Sequence, residues 1–371
     1  MQITTLSRQF LPLDVIDAFR SVIWTERYYG DSEVQITLPA STENLAKLPK
    51  GRFLKSDESD EVMMIETHDI QEGVATVTCF SLLKWFNNRI VRSSELHKDR
   101  YWNILDMPPG EILWHIIKTM CVDGLYPLGV MDPQRYKISN LTAPQIDTQG
   151  PNVSVAVPFG PLFDALYSIA TSHKIGMTLT LASADETTYS LEFRSYRGLD
   201  YTSAQMVNPV VRFSPDMDSL TDIKELQSIA DYKTEIYTFA PADPGGLTTA
   251  PGYAGPSIFV PGGPLPEFDI RVGMVFADDI TTETVGTDEA QLLKMLNQRA
   301  TEALEAYKVV QLVDGEIVPT TQFEYGSDYT LGDTVEIQGY SGITQKARII
   351  EYVRSQDSNG FKAYPSLEMI D

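Results

Sequence analysis

Seven prolines (Pro241, Pro244, Pro251, Pro256, Pro261, Pro264 and Pro266) and six glycines fall within the 29 residues 240–268. Proline lacks the N–H that helices and sheet ladders use, and glycine loses the most freedom on ordering, so regular structure cannot run through such a stretch. The chain is therefore interrupted two-thirds of the way along by a long irregular loop, a feature that inside a domain usually serves a function. With 371 residues in all, at roughly 150 residues per domain, several domains are expected around that break.

The first hundred residues read mostly as strands. Glu33 to Leu38 alternates polar and apolar residues and Pro39 ends the run, the period of a half-buried strand. Val62–Thr67 and Val74–Phe80 are two more β-branched runs joined through Gln71-Glu72-Gly73. Leu82, Leu83, Trp85, Phe86 and Ile90 then switch to helical spacing. Further on, Ile112, Leu113, Ile116, Ile117 and Met120 form an apolar stripe before Gly124, and Leu162, Phe163, Leu166, Ile169 and Ala170 form another before Gly176. Glycine suits the left-handed position that closes a helix, so both helices are expected to stop there. Met177–Leu181 and Tyr189–Tyr196 read as a hairpin, and Val210–Phe213 and Thr234–Phe239 as strands with ambiguous sequence between them. After the Pro/Gly loop, Phe268–Ala277 reads as a strand. Thr287 caps a helix over 288–311 lined by Leu292, Leu296, Ala300, Ala303, Leu304 and Tyr307. Thr334–Gln338, Lys346–Tyr352 and Gly360–Met369 close the chain as strands, the last two joined at Asp357-Ser358-Asn359-Gly360.

The expected fold class is thus α+β and β-rich. The expected domains are 1–100, strand-rich; 101–205, a helix-plus-hairpin unit; 206–320, holding the loop 240–268 and the helix 288–311; and 321–371, again strand-rich.

Composition excludes several functions. There are 29 basic and 51 acidic side chains, a formal net charge of −22. Residues 1–100 carry only −3 of it, so −19 lies in the remainder. Such a chain repels nucleic acid and anionic membrane, so no sequence-specific nucleic-acid binding is expected. No uncharged apolar stretch approaches the roughly 18 residues of a membrane span, so no membrane anchor is expected, and Met1 to Leu6 has no signal-peptide character. Cys79 and Cys121 both sit in apolar runs and read as buried free thiols.

A search for chemistry finds none. The four histidines, His68, His97, His115 and His173, show no metal-ligand spacing, and His115 on its apolar helix reads as a packed side chain. No phosphate loop, nucleophile elbow or CxxC pair is present. Asp57-Glu58-Ser59-Asp60-Glu61 lacks the spacing and glycine of a calcium loop and reads as a solvated turn. No catalytic residue, cofactor site or metal site is assigned, and the chain is expected not to be an enzyme.

Four strings carry more information. They are Trp24-Thr25-Glu26-Arg27-Tyr28-Tyr29-Gly30; Leu191 to Thr202, containing Arg197-Gly198-Leu199-Asp200; Val211-Arg212-Phe213-Ser214 with the later Asp231-Tyr232-Lys233-Thr234; and Tyr329-Thr330-Leu331-Gly332-Asp333-Thr334-Val335 followed by Ala347-Arg348-Ile349. In this order and spacing they resemble the siphophage minor tail proteins, the tail-tip or baseplate hub proteins, over nearly the whole chain. The family often has an arginine after the aspartate near position 200, where this chain has Tyr201.

The resemblance implies β-barrel-like N- and C-terminal domains around mixed α/β middle domains. It implies a homotrimer that closes the tail tube and organises tail-tip assembly and DNA exit. The implied partners are the distal tail protein ring, the tape-measure protein and other minor tail proteins, and the implied location is the tail tip of the virion. An assembly interface is expected at Trp24, Arg27, Tyr28, Tyr29, Leu331, Gly332 and Asp333. Strand alternation would put Trp24, Glu26 and Tyr28 on one face and Thr25, Arg27 and Tyr29 on the other. A receptor- or carbohydrate-binding module using Tyr253 and Phe259 is the alternative, and a cell-wall hydrolase a third reading, disfavoured because no appended catalytic domain is evident.

Overall fold

Strands form where side chains alternate. In Glu33–Pro39, Val34, Ile36 and Leu38 are buried while Glu33, Gln35 and Thr37 face outward. Val62–Gln71 and Val74–Ser81 are antiparallel, with Gln71 opposite Val74 across the two-residue turn Glu72-Gly73. Both turn residues have positive φ, +49° and +76°, which matches the right-handed twist of a tight hairpin. The protein is a β-rich α+β molecule. The computed structural model describes residues 1–91, 101–124, 137–185, 188–240, 252–254, 259–260, 263–264, 267–277, 280, 289–307, 310–318 and 322–370.

Eleven strands share one sheet. From one edge the order is Arg212–Phe213, Thr334–Gln338, Thr344–Asp357, Ser21–Arg27, Glu33–Pro39, Val74–Ser81, Val62–Gln71, Phe53–Ser56, Ile3–Leu6 and Pro12–Ile16, and Gly360–Ile370 also pairs with Thr344–Asp357. The 14-residue strand Thr344–Asp357 joins the two ends of the chain. Its first part, Thr344–Arg348, pairs with Thr334–Gln338, and its later part, Glu351–Gln356, pairs with Val22–Arg27. Strands of the segments 1–100 and 321–371, expected to be separate domains, therefore share one sheet. Local periodicity cannot report a pairing between residues more than 300 positions apart.

The middle helices share an apolar cluster with residues of the first hundred, among them Leu6, Val62 and Phe86. Pro109–Ile117 runs on as a π-turn, Lys118–Val122, in which the Asp123 N–H donates to the Lys118 carbonyl at 2.8 Å. Gly124, at φ +65°, follows as expected. Leu162–His173 ends one turn earlier than predicted. Lys174 adopts the left-handed conformation, φ +56°, and Gly176 instead opens the strand Gly176–Ala184. That strand is antiparallel to Tyr189–Tyr196, to which Leu141–Gln145 adds in parallel. Leu113, Ile117, Leu166 and Phe193 share one apolar cluster with Leu6, Phe10, Val62 and Phe86, so residues 101–205 and the first hundred are not independent cores.

Two compact units result, Met1–Asp222 with Gly315–Asp371, and Ile223–Asp314. Both chain passages between them run through paired strands, Leu220–Ser228 and Val310–Ile317. In the second unit Glu235–Phe239 lies between Gly252–Ala254, antiparallel, and Val272–Phe276, parallel. The helix here is Glu289–Ala306, and Val310–Ile317 is a strand, so the predicted helix 288–311 runs too far. Its cap Thr287 lies outside the described residues. Leu292 and Leu296 pack with Ala277 and Ile280. The region expected to be wholly irregular, 240–268, contains the short strands Gly252–Ala254, Phe259–Val260 and Gly263–Pro264. Gly252 permits the first: a Cβ there would lie 2.5 Å from the Leu296 backbone.

Candidate assembly site

The sequence strings converge where Thr344–Asp357 changes partner. The Tyr28 N–H donates to the Ile350 carbonyl at 2.8 Å, and the Gly332 N–H to the Ile349 carbonyl at 2.7 Å. Tyr28 fills the corner between them. Its hydroxyl lies 3.2 Å from the Tyr196 carbonyl and 3.3 Å from that of Lys174, its two acceptor choices. Glycine is required on both sides of the ring. A Cβ on Gly176 would sit 2.2 Å from it, and one on Gly332, whose φ is +92°, 2.3 Å.

Asp333 holds the loop before the next strand. Its carboxylate accepts from the Leu199 N–H at 2.6 Å, and from the Thr330 N–H and hydroxyl at 2.6 and 3.0 Å. Burial raises its pKa, and these donors partly offset that. Glu336, close by, takes two bonds from Ser203 and one from Arg212 Nε at 2.8 Å. Burial alone would raise its pKa, but these partners more than reverse that and hold it below the usual range.

Arg27 and Tyr29 point the other way, as alternation requires. Arg27 Nε is 2.8 Å from Glu351 Oε1, and its Nη1 donates to the Asp31 carbonyl at 2.8 Å. Tyr29 donates to Glu368 at 2.7 Å and accepts from Arg348 at 3.1 Å, while Lys174 Nζ reaches Glu368 at 2.7 Å. Burial first, and then Glu368, raise the Tyr29 hydroxyl pKa.

Six of the seven predicted interface residues, all but Trp24, thus meet, but within one chain. Trp24 and Tyr28 are fully buried, and Leu331 and Asp333 nearly so. A side chain without exposed surface cannot form a contact with another chain, so these positions weld the two ends of this chain together. Trp24 lies apart from the seam, in the sheet core with Val34 and Ile36. Only Arg27 and Tyr29 of the set keep partly exposed side chains.

Surface suited to a partner lies elsewhere, in Ile223–Asp314. The helix-facing side of its sheet buries Ile236 and Thr238. The other side carries Tyr237, Phe239, Tyr253, Val272, Met274 and Phe276, with the buried Glu235 opposite Val272 at one end; Met274 is 62% and Phe276 58% exposed. The Phe239 and Phe276 rings are 6.1 Å apart, those of Tyr237 and Tyr253 5.3 Å. The legible signal was Val272-Gly273-Met274-Val275-Phe276, apolar at every non-glycine position, as in a strand covered on both faces. Tyr253, named from the loop, lies on this face; the side chain of Phe259 is outside the described residues.

Among the described residues no group of three His, Cys, Asp or Glu side chains is placed to hold a metal ion, and no helix there is long and apolar enough to cross a membrane. Burial lowers the pKa of His115, which packs 5.3 Å from the Trp102 ring. Both cysteines are buried and free; burial raises both thiol pKa values, that of Cys121 to about 12.

Comparison with solved structures gives the same fold along the full chain. The prophage MuSo2 43 kDa tail protein from Shewanella oneidensis aligns with a TM-score of 0.51 at 10% identity, covering 99% of this chain and 98% of that one. Prophage tail protein gp18 from Listeria monocytogenes aligns with a TM-score of 0.50 at 10% identity, covering 99% and 94%. At these identities the likeness is one of fold. No curated protein matches the sequence. The model of one family spans residues 6–367, so the siphophage resemblance carried by the Trp24, Leu191, Val211 and Tyr329 strings holds over the whole chain, which belongs to the Siphovirus ReqiPepy6 Gp37-like protein family.

Proposed function

We propose that this protein is a structural part of a bacteriophage tail tip, a baseplate hub that acts as a homotrimer and closes the tail tube. The match of one siphovirus family over residues 6–367 carries this reading. The fold shared with two prophage tail proteins and the uncovered apolar face of the second unit support it. A chain with net charge −22 meets a like-charged copy most cheaply over uncharged surface. Five side chains of that face are more than a third exposed, which makes an apolar patch of a few hundred Å², a size often found at functional surfaces. The reading includes contacts with the distal tail ring, the tape-measure protein and other minor tail proteins, and a path for exiting DNA.

The test pairs light scattering with tail assembly. Phe276→Glu and Met274→Glu should leave the chain folded, shift any trimer to monomer, and give particles with defective tail tips. Normal tails from both variants would refute the assembly role of this face. The receptor- or carbohydrate-binding alternative draws on the aromatic pair Tyr237 and Tyr253. It predicts complete tails that fail to adsorb when Tyr253→Ala is introduced.

A further inference from the structure

The run Asp57–Glu61, expected to be a solvated turn, has two side chains folded inward. Ser59 and Glu61 are 9% and 8% exposed. With Glu26 and Arg354 they line a cavity of about 640 Å³. Arg354 Nη1 lies 3.0 Å from Glu26 Oε1, and both side chains are about nine-tenths buried. The Ser59 hydroxyl donates to that same Glu26 oxygen and accepts the Glu61 N–H at 3.2 Å. Thr178 donates to Glu61 Oε1 at 3.3 Å. Glu61 Oε2, also buried, has no hydrogen-bond partner. The Ser32 hydroxyl favours the charged form of Glu61, but only the Thr178 contact has hydrogen-bond geometry.

The charges do not balance. Two buried carboxylates, Glu26 and Glu61, face one buried guanidinium, Arg354. The other arginines at the cavity are already matched: Arg194 lies 2.8 Å from Glu192, and Arg197 2.8 Å from Asp147. Leaving a carboxylate buried and unpaired costs several kcal/mol, so it must take up either a proton or a cation. A bare metal ion fits poorly, since no three ligating side chains converge among the described residues. The cavity also has room for far more than one water-sized ion, about 30 Å³. Tyr325 supplies an aromatic wall, held by stacking at 3.5 Å on Tyr352, of the kind that favours organic cations.

We propose that this cavity receives one organic cation, the ammonium or guanidinium group of a lysine or arginine side chain presented by another protein, bound at Glu61 Oε2 in competition with a proton. The site goes beyond the hub reading and does not depend on it, because it lies within one chain and is read with small probes.

The test uses the full chain and Nα-acetylarginine amide, with potassium chloride and magnesium chloride at matched ionic strength. The amide should raise the melting temperature of the wild type above both salts. Glu61→Gln should bind it at least tenfold more weakly, while Asp69→Asn, at an exposed carboxylate outside the cavity, should bind it normally. Calorimetry near neutral pH in two buffers of different ionisation heat should show proton release on binding by the wild type. That second measurement decides the matter should Glu61→Gln not fold. Equal binding by Glu61→Gln, no proton release, no effect of the amide on the wild type, or a larger effect of magnesium would each overturn the proposal.

Discussion

Two sheets in this molecule follow the same alternation with opposite outer chemistry. In the eleven-stranded sheet many positions that face away from the core are polar, as at Glu33, Gln35, Thr76 and Thr78, and exposed apolar side chains such as Ile23 and Ile70 stand among them. In the three-stranded sheet of Ile223–Asp314 the equivalent positions are Val272, Met274, Phe276 and Phe239. The first sheet is finished by its own chain. Its ends are closed by Tyr28, Gly332 and Asp333, residues that look like interface residues in sequence and are interior in fact. The second sheet has one side covered by a helix and the other left apolar. Burial separates the aromatic residues here: Tyr28 is enclosed between segments of one chain, whereas Phe276 is exposed.

The largest effect that would break this contrast is loss of the first sheet's core. Trp24→Ala should cost about 3–5 kcal/mol, the usual toll of deleting a buried aromatic. Urea unfolding followed by thiol labelling reads it selectively. Cys79 and Cys121 both lie in the first unit and are buried, so they report that unit alone; labelling rates equal to those of the wild type would contradict the core assignment.

Next comes the corner. Gly332→Ala places a Cβ against the Tyr28 ring at a φ that side chains disfavour, and should cost about 2–4 kcal/mol from strain and overpacking. Gly342→Ala is the sharpening control, since its φ of +79° is also positive but nothing lies within 4 Å. It should lose only about 1 kcal/mol. Equal losses would mean that Tyr28 is not the reason for Gly332.

A smaller effect depends on pH. Burial first, and the Glu26 charge second, raise the Glu61 pKa to about 8. The folded state then holds a proton that the unfolded chain has released. The stability linked to Glu61 is full below the ordinary carboxylate range and falls as pH rises to about 8. Glu26, Arg354, Tyr196 and Tyr325 are the charged and titratable groups acting on it from neighbouring elements. Glu61→Gln should remove that decline, so melting temperatures measured between pH 5 and 9 should converge with the wild type at low pH and exceed it at high pH. Parallel curves would exclude it.

The smallest stability effect is expected on the open face. Phe276→Glu should change unfolding free energy by no more than about 0.5 kcal/mol, as for an exposed site, while abolishing self-association. A large loss of stability would show that this face is covered by its own chain.

Period-2 alternation is local, so it was enough to locate Glu33–Pro39, Val74–Ser81 and Gly360–Ile370 from sequence. Helical spacing did the same for Leu162–His173. Short strands were missed where the local signal was thin: Phe53–Ser56 has four residues, and Pro12–Ile16 opens on a proline. The seam was legible in part, because Trp24-to-Gly30 and Tyr329-to-Val335 stood out as strings, yet their facing direction did not. The Asp57–Glu61 run is a turn with Asp57, Glu58 and Asp60 exposed, as read, but the enclosure of Glu61 was not legible, because composition counts charges and cannot tell which carboxylate a neighbouring strand will enclose.

On its own, the sequence determined the β-rich class, most of the elements, the acidity and the siphophage kinship, since each follows from residue type and near-neighbour spacing. Tertiary structure alone decided that the first and last segments share one sheet, that Tyr28 is interior, that Phe276 is exposed and that Glu61 is enclosed. The physical reason is that burial belongs to pairs of distant segments: whether a side chain meets water depends on what the rest of the chain brings against it.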